Sequence, residues 1–260
     1  MDLDALKQTA IEAALAAGEV AQRGFGHTKH VATKSNATDL VTEFDRQAQK
    51  VILDIVRARY PDHDILAEEG DSKQTGSPFL WAVDPIDGTT NFVHNVPLFC
   101  VSICVLHEQQ PLVAVVWAPS IEELFVAVRG QGATCNGQTL RVSNTATLEQ
   151  SVMATGFSYR HALRQKNLNP FNRFVLNSRA VRRIGSAALD LCWVGMGRFD
   201  GYWELDLNPW DVAAGWLVVQ EAGGKISDLE GRSLRVQQGG LVASNATLHE
   251  AMLELLEQEA

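Results

Sequence analysis

Nothing in these 260 residues forms an apolar run long enough to span a bilayer. The segment after Met1, DLDALKQTAIEAALAAGEVA, carries acids where a secretion signal carries its basic end. The expectation is a cytoplasmic chain with no membrane partner. Basic residues are in deficit, 22 Lys and Arg against 31 Asp and Glu for a formal charge of −9, which argues against a nucleic-acid surface. Cysteine is sparse too. Cys100, Cys104, Cys135 and Cys192 form no C-x-x-C and have no histidines at zinc-site spacing, so they read as reduced structural thiols. Internal repeats, low-complexity tracts and disordered linkers are missing as well. A small ligand is the partner left to look for.

With 46% hydrophobic residues, the chain has ample material for a large core. Leu3, Leu6, Ala10, Ala14 and Ala17 recur at helical spacing up to Gly24, and Phe44, Ala48, Val51, Ile52, Ile55 and Val56 do so up to Pro61. Between them lies a polar loop, ATKSNATDLVTEFD. From Ile65 to Phe157, short β-rich runs (DILAEE, LWAVD, CVSICVL, LVAVVWAP, LFVAV, SVMATGF) predict one sheet. Strand-like and helical stretches then alternate to a last helix from Thr247. We read an α+β chain, one unit over 1–260, with an α+β half to about 150 and an α/β half beyond it.

The chemistry concentrates in WAVDPIDGTTNF. Leu80–Val83 predicts a buried strand that ends at Asp84, with Asp87 in the following turn and Pro85 fixing that turn. Gly88 permits close backbone approach to a ligand, and Thr89, Thr90 and Asn91 can open a helix whose free N–H groups favour an anion. Glu68 and Glu69 end another strand-like run, and Asp211 falls in the first turn of a helix begun by Pro209. An Asp before Gly is ordinarily a turn residue and an Asp at a helix start ordinarily a cap. Converging carboxylates, however, need counter-charge. An all-oxygen set without nearby cysteine or histidine suits a hard cation, Mg²⁺ first, and Mg²⁺ chemistry points to phosphate-ester hydrolysis. D-x-x-D-G-T differs from the D-x-D-G-T of the haloacid-dehalogenase phosphatases: the position two before Asp87 is Pro85, which cannot attack phosphorus. Water is the expected nucleophile.

WAVDPIDGTTNFVHNVP and WELDLNPWDVAAGWLVVQEAGG resemble the two signatures of the inositol monophosphatase family, and LAEE resembles its upstream metal-binding glutamate motif. The resemblance implies a layered αβαβα sandwich, a homodimer, two or three Mg²⁺ per active site and inhibition by lithium. It implies metal ligation by Glu68, Asp84, the Ile86 carbonyl, Asp87 and Asp211. Thr89 and Asp45 would position the attacking water, with Glu68 in the catalytic set and Lys34 close by on a mobile flap. Gly88 and Thr89 would offer N–H groups to phosphate, while Ser186, Ala187 and Glu204 would contact a polyol. Asn208 stands where animal members carry histidine, which alters the rim of the substrate site. Thr90 stands where relatives acting on histidinol phosphate or phosphoadenosine phosphate carry lysine, which leans towards inositol monophosphate. The alternatives are the same chemistry on fructose-1,6-bisphosphate or histidinol phosphate, and a low-turnover regulatory binding protein.

Other residues read as structural. His94 and His107 sit among apolar neighbours, and Trp203 and Trp210 read as walls beside the acids. Arg179, Arg182 and Arg183 read as a solvated or dimer-facing cluster, with a phosphate clamp as the alternative.

Overall fold

In the computed structural model, which describes residues 2–27, 30–34, 38–237 and 239–257, the chain opens with helix α1 (Leu3–Gly24). Asp2 caps it, accepting from the Ala5 N–H at 3.0 Å. Half of its buried stripe is alanine (Ala10, Ala13, Ala14, Ala17, Ala21), short enough for the helix to lie close on a sheet. The polar segment that follows is partly paired, as the antiparallel hairpin β1 (Val31–Thr33) and β2 (Leu40–Thr42). Ser35, Asn36 and Ala37, which the sequence places in the flap, lie outside the described residues. Helix α2 (Glu43–Arg59) begins directly after β2 and packs beside α1.

Seven strands form the first sheet in chain order: β3 (Asp64–Ala67), β4 (Phe79–Asp87), β5 (Cys100–His107), β6 (Gln110–Ala118), β7 (Glu123–Val128), β8 (Gly132–Cys135) and β9 (Gln138–Thr139). Short helix α3 (Thr89–Val93) sits between β4 and β5. Only β3 and β4 run parallel; the other neighbours are antiparallel. The run SVMATGF does not join this sheet. It supplies β10 (Val152–Thr155) of a second sheet, ordered β11-β10-β12-β14-β13.

The elements completing the chain are α4 (His161–Lys166), α5 (Leu168–Asn177), β11 (Ala180–Arg182), α6 (Ala187–Gly195), β12 (Gly201–Leu207), α7 (Pro209–Glu221), β13 (Lys225–Ser227), β14 (Gly239–Ser244) and α8 (His249–Glu257). Helices α6 and α7 pack against strands of both sheets. Every residue of α7 from Val212 to Val219 is therefore buried, as befits a helix apolar all round. Helices α1 and α2 cover the outer face of the first sheet, and α5 and α8 that of the second. The order of layers is αβαβα. Strands β5 and β6 read as unbroken apolar runs because helices cover both their faces.

His249, fully buried at the start of α8, bridges the Ser227 and Ser244 hydroxyls at 2.9 and 3.0 Å and so ties β13 and β14 to the helix. Burial, helped by the Lys225 charge, pushes its imidazole down to about 4. A folded-state value below the unfolded one means that the neutral form stabilises the fold fully above about pH 6.5, and that this contribution is lost as pH falls towards 4. We expect about 2 kcal/mol of His249-dependent stability to disappear between pH 7.5 and 5. Urea unfolding of wild type and His249→Asn at both pH values checks this. An identical pH dependence in the two proteins would count against it.

Candidate active site

The site grows from three local devices. The first is a bulge in β4, which runs on through Pro85 to Asp87 instead of ending at Asp84 with Asp87 in a turn. Asp84 pairs with Ser102, and Asp87 with Cys100, so three steps along β4 match two along β5. In a regular strand two residues three apart face opposite sides of the sheet; the extra residue brings Asp84 and Asp87 to the same side. Pro85 is tolerated there because the disrupted ladder asks for no N–H.

The second device is the α2 cap. Asp45 Oδ2 accepts from the Thr42 N–H at 2.8 Å and the Thr42 hydroxyl at 2.5 Å, completing a capping box. Its other oxygen, Oδ1, accepts from Thr89 Oγ1 at 3.1 Å, and that hydroxyl also lies 3.1 Å from the Ile86 carbonyl. Gly88, in the left-handed region at φ 94°, begins α3 where a Cβ would meet the Leu98 carbonyl at 3.0 Å. The third device is the start of α7, where Asp211 accepts from the Asn208 N–H at 2.7 Å.

These devices surround a cavity of about 390 Å³ whose wall includes Lys34, Glu68, Asp84, Ile86, Asp87, Gly88, Thr89, Ser186, Ala187, Glu204 and Asp211. Every site residue proposed from sequence lines it except Asp45, which is fully buried behind Thr89. Of the arginine trio only Arg183 reaches the wall. Trp210 is part of the wall, whereas Trp203 is core, stacked on Phe174 at 3.9 Å between ring centroids. His94 is exposed, and His107 packs against the Phe79 ring.

Burial pushes the Asp84 carboxyl well above the usual range, and the charges of Glu68, Asp87 and Asp211 push it further. Asp211 is raised in the same way, by burial and then by Glu68 and Asp87. Asp87 rises to about 6 from burial, although the Ser186 hydroxyl and the Ala188 N–H, both donating at 2.7 Å, hold it down. Burial also raises Asp45. Lys34 pairs with Glu68 at 2.7 Å and with Glu69. Burial opposes its charge, but the two carboxylates more than offset that and raise its pKa. Glu204 is pushed up to about 7 by burial; the Tyr202 hydroxyl donates to it, and Gly156 makes room, since a Cβ there would lie 1.9 Å from Glu204 Oε2.

Among the described residues no three His, Cys, Asp or Glu side chains close into a coordination cage by themselves. The carboxylates share one cavity and raise one another's proton affinity, which is a demand for positive charge that Lys34 meets only at Glu68 and Glu69. An oxygen-only wall of this kind fits a hard cation that keeps several waters.

The chain matches the inositol monophosphatase family over residues 2–260 and belongs to it, and with it to the phosphatases. It is 45% identical over 257 residues to an inositol-1-monophosphatase of Synechocystis sp., covering 98% of this chain and 90% of that protein. It is 41% identical over 255 residues to the Nus factor SuhB of Pseudomonas aeruginosa, covering 95% and 94%. Among solved structures, an inositol monophosphatase from Anabaena (Nostoc) sp. superposes with a TM-score of 0.89 at 38% identity, over 100% of this chain and 98% of that one. An IMPase/NADP phosphatase complexed with Mg²⁺ and phosphate gives a TM-score of 0.88 at 26% identity, over 99% and 97%. Among the described residues no helix is long and apolar enough to cross a membrane.

Proposed function

We propose that this chain is a Mg²⁺-dependent phosphomonoesterase that hydrolyses myo-inositol monophosphate to inositol and phosphate. The observation that carries the reading is the convergence of Glu68, Asp84, Asp87 and Asp211 on a cavity that also holds Thr89 and Glu204. Glu68, Asp84, the Ile86 carbonyl, Asp87 and Asp211 would hold the metal, in two or three ions. When bound, Mg²⁺ supplies electrophilic polarisation of the phosphoryl oxygens and acidifies water.

The chain's own groups then do the following. Thr89 Oγ1 has one proton to give, to Asp45 Oδ1 or to the Ile86 carbonyl. Donating to Asp45, it turns a lone pair to the cavity and orients a water by accepting its proton. Asp45, made more basic by burial, is the final proton acceptor. The N–H groups of Gly88 and Thr89, in the unpaired first turn of α3, offer donors to the phosphate. Ser186 and Ala187 start α6 beside Asp87, and with Glu204 they face the polyol. Lys34, paired with Glu68 and Glu69, would have to release Glu68 for that carboxylate to hold a cation.

A panel of phosphate monoesters with saturating Mg²⁺, compared by kcat/KM, tests the reading. Inositol monophosphate should lead fructose-1,6-bisphosphate, histidinol phosphate and 4-nitrophenyl phosphate; preference for another ester would replace the substrate. Glu204 separates reaction from specificity. Losing a charged hydrogen bond to a substrate hydroxyl costs about 1.5–3 kcal/mol, so Glu204→Ala should lower kcat/KM for inositol monophosphate roughly ten- to hundred-fold. The aryl ester should lose much less. Equal losses would make Glu204 a support for the fold or the metal site.

Similarity to a Nus factor favours one second reading, a regulatory binding protein with little turnover. The complete water-activating set speaks against it, because a binding module has no use for one. Absence of metal-dependent turnover across the panel would establish it instead. A homodimer and a cytoplasmic location complete the proposed picture, the first supported by Leu168, Val175 and Leu176 exposed on α5.

A further inference from the structure

Helix α6 is apolar apart from one residue. Ala187, Ala188, Leu189, Leu191, Cys192 and Val194 are buried between the two sheets, and amid them Asp190 is buried to 1% exposure. Its Oδ1 has no hydrogen-bond partner among the described residues. Leaving a buried carboxyl oxygen unpaired is costly, and an acid kept for structure alone would be paired, as Asp64 is by Thr75, Gly76 and Ser77. Leucine would serve better as filling.

Asp190 also belongs to the wall of the active-site cavity. It lies three residues after Ala187 and four after Ser186, hence on the same helix face, one turn deeper. The groups acting on it are Glu204 first, then Asp87 and the Arg183 guanidinium, all from other elements lining that cavity. Two acids, one on α6 and one on β12, thus face the end of the cavity assigned above to the polyol. A substrate hydroxyl is both donor and acceptor, so it can pair with a carboxyl oxygen in either protonation state.

We propose that Asp190 is a second hydroxyl-reading residue, whose unpaired carboxyl oxygen takes a hydrogen bond with a ring hydroxyl other than the one held by Glu204. The substrate class follows: a phosphomonoester whose polyol carries at least two hydroxyls on the side away from the phosphate. This inference rests on the polyol reading of the site.

The test uses the full-length Mg²⁺-loaded protein with inositol monophosphate, a series of its monodeoxy analogues and 4-nitrophenyl phosphate. Asp190→Ala should lower kcat/KM for inositol monophosphate by about ten-fold, chiefly through KM, with a distinctly smaller loss on the aryl ester. For one deoxy analogue the difference between wild type and variant should vanish, because the hydroxyl that Asp190 reads is already gone. A different analogue should erase the Glu204→Ala difference. If Asp190→Ala does not fold, Asp190→Leu fills the space, and inositol binding by calorimetry gives a readout free of catalysis. Equal losses on all esters, or the same loss for every deoxy analogue, overturns the assignment while leaving the polyol reading intact. A wild-type enzyme that does not distinguish inositol monophosphate from the aryl ester overturns both.

Discussion

Asp84→Asn is expected to abolish turnover and, in the same protein, to raise the stability of the metal-free state. The amide keeps the acceptor oxygen that takes the Ile86 N–H at 3.0 Å, so the turn after Asp84 should hold. What it removes is a buried negative charge facing Glu68, Asp87 and Asp211. Without metal that charge is a liability, and relief should stabilise by about 1–3 kcal/mol. In a chain of this size each kcal/mol is worth roughly 2–4 °C in Tm. With Mg²⁺ present the lost ligand should cost roughly a thousand-fold or more in kcat, little of it recovered by excess metal. Steady-state kinetics and melting curves in chelator check both halves. Near-normal kcat would remove Asp84 from the metal site, and a lower metal-free Tm would show that the cluster is held together by something other than a missing cation.

Thr89→Ala should lower kcat by about 10²- to 10⁴-fold while KM moves only a few-fold, the pattern of a group that acts on the water and not on the substrate. The methyl group matters little, so Thr89→Ser should recover most of the rate. Asp45 makes the harder experiment, since one of its oxygens caps α2 and its replacement would lose a helix cap together with the base. A Thr89→Ala enzyme with raised KM and intact kcat would place this hydroxyl on the phosphate instead.

Much of the site was legible because its signals are local. The acids of LAEE, WAVDPIDGTTNF and NPWDVAAG stand beside turn and cap chemistry that places each of them at an element's end, where loops meet ligands. The relation between Asp84 and Asp87 was hidden. Pro85 reads as a strand terminator, and only pairing with β5 shows the strand continuing through a bulge. SVMATGF was read into the wrong sheet because a strand's composition does not say which neighbour it pairs with. Helices α4 and α5 were missed since HALRQKNLNPFNRFVLN carries four Asn and a Pro, turn-formers of which Asn167, Asn169 and Pro170 here open α5. His249 and Asp190 needed the layers: each looks like an ordinary polar residue near a helix start until elements distant in sequence close over it.

The β4 bulge gives the chain a sensitivity of an unusual kind, to strand register more than to residue identity. Facing in a strand is a matter of parity, odd or even, and the extra residue between Asp84 and Asp87 changes it once. Closing the bulge by pairing β4 with β5 one for one would leave both aspartates, the glycine turn and all of the apolar sequence in place, yet send one carboxylate to the far side of the sheet, whereas deleting one residue there would only restore the two-residue spacing at which a regular strand keeps both on one face. Register at this point therefore carries functional information that the site acids alone do not: a relative with every acid present at the same three-residue spacing, but with this strand pair running regularly, would have lost the shared face on which the two aspartates act together.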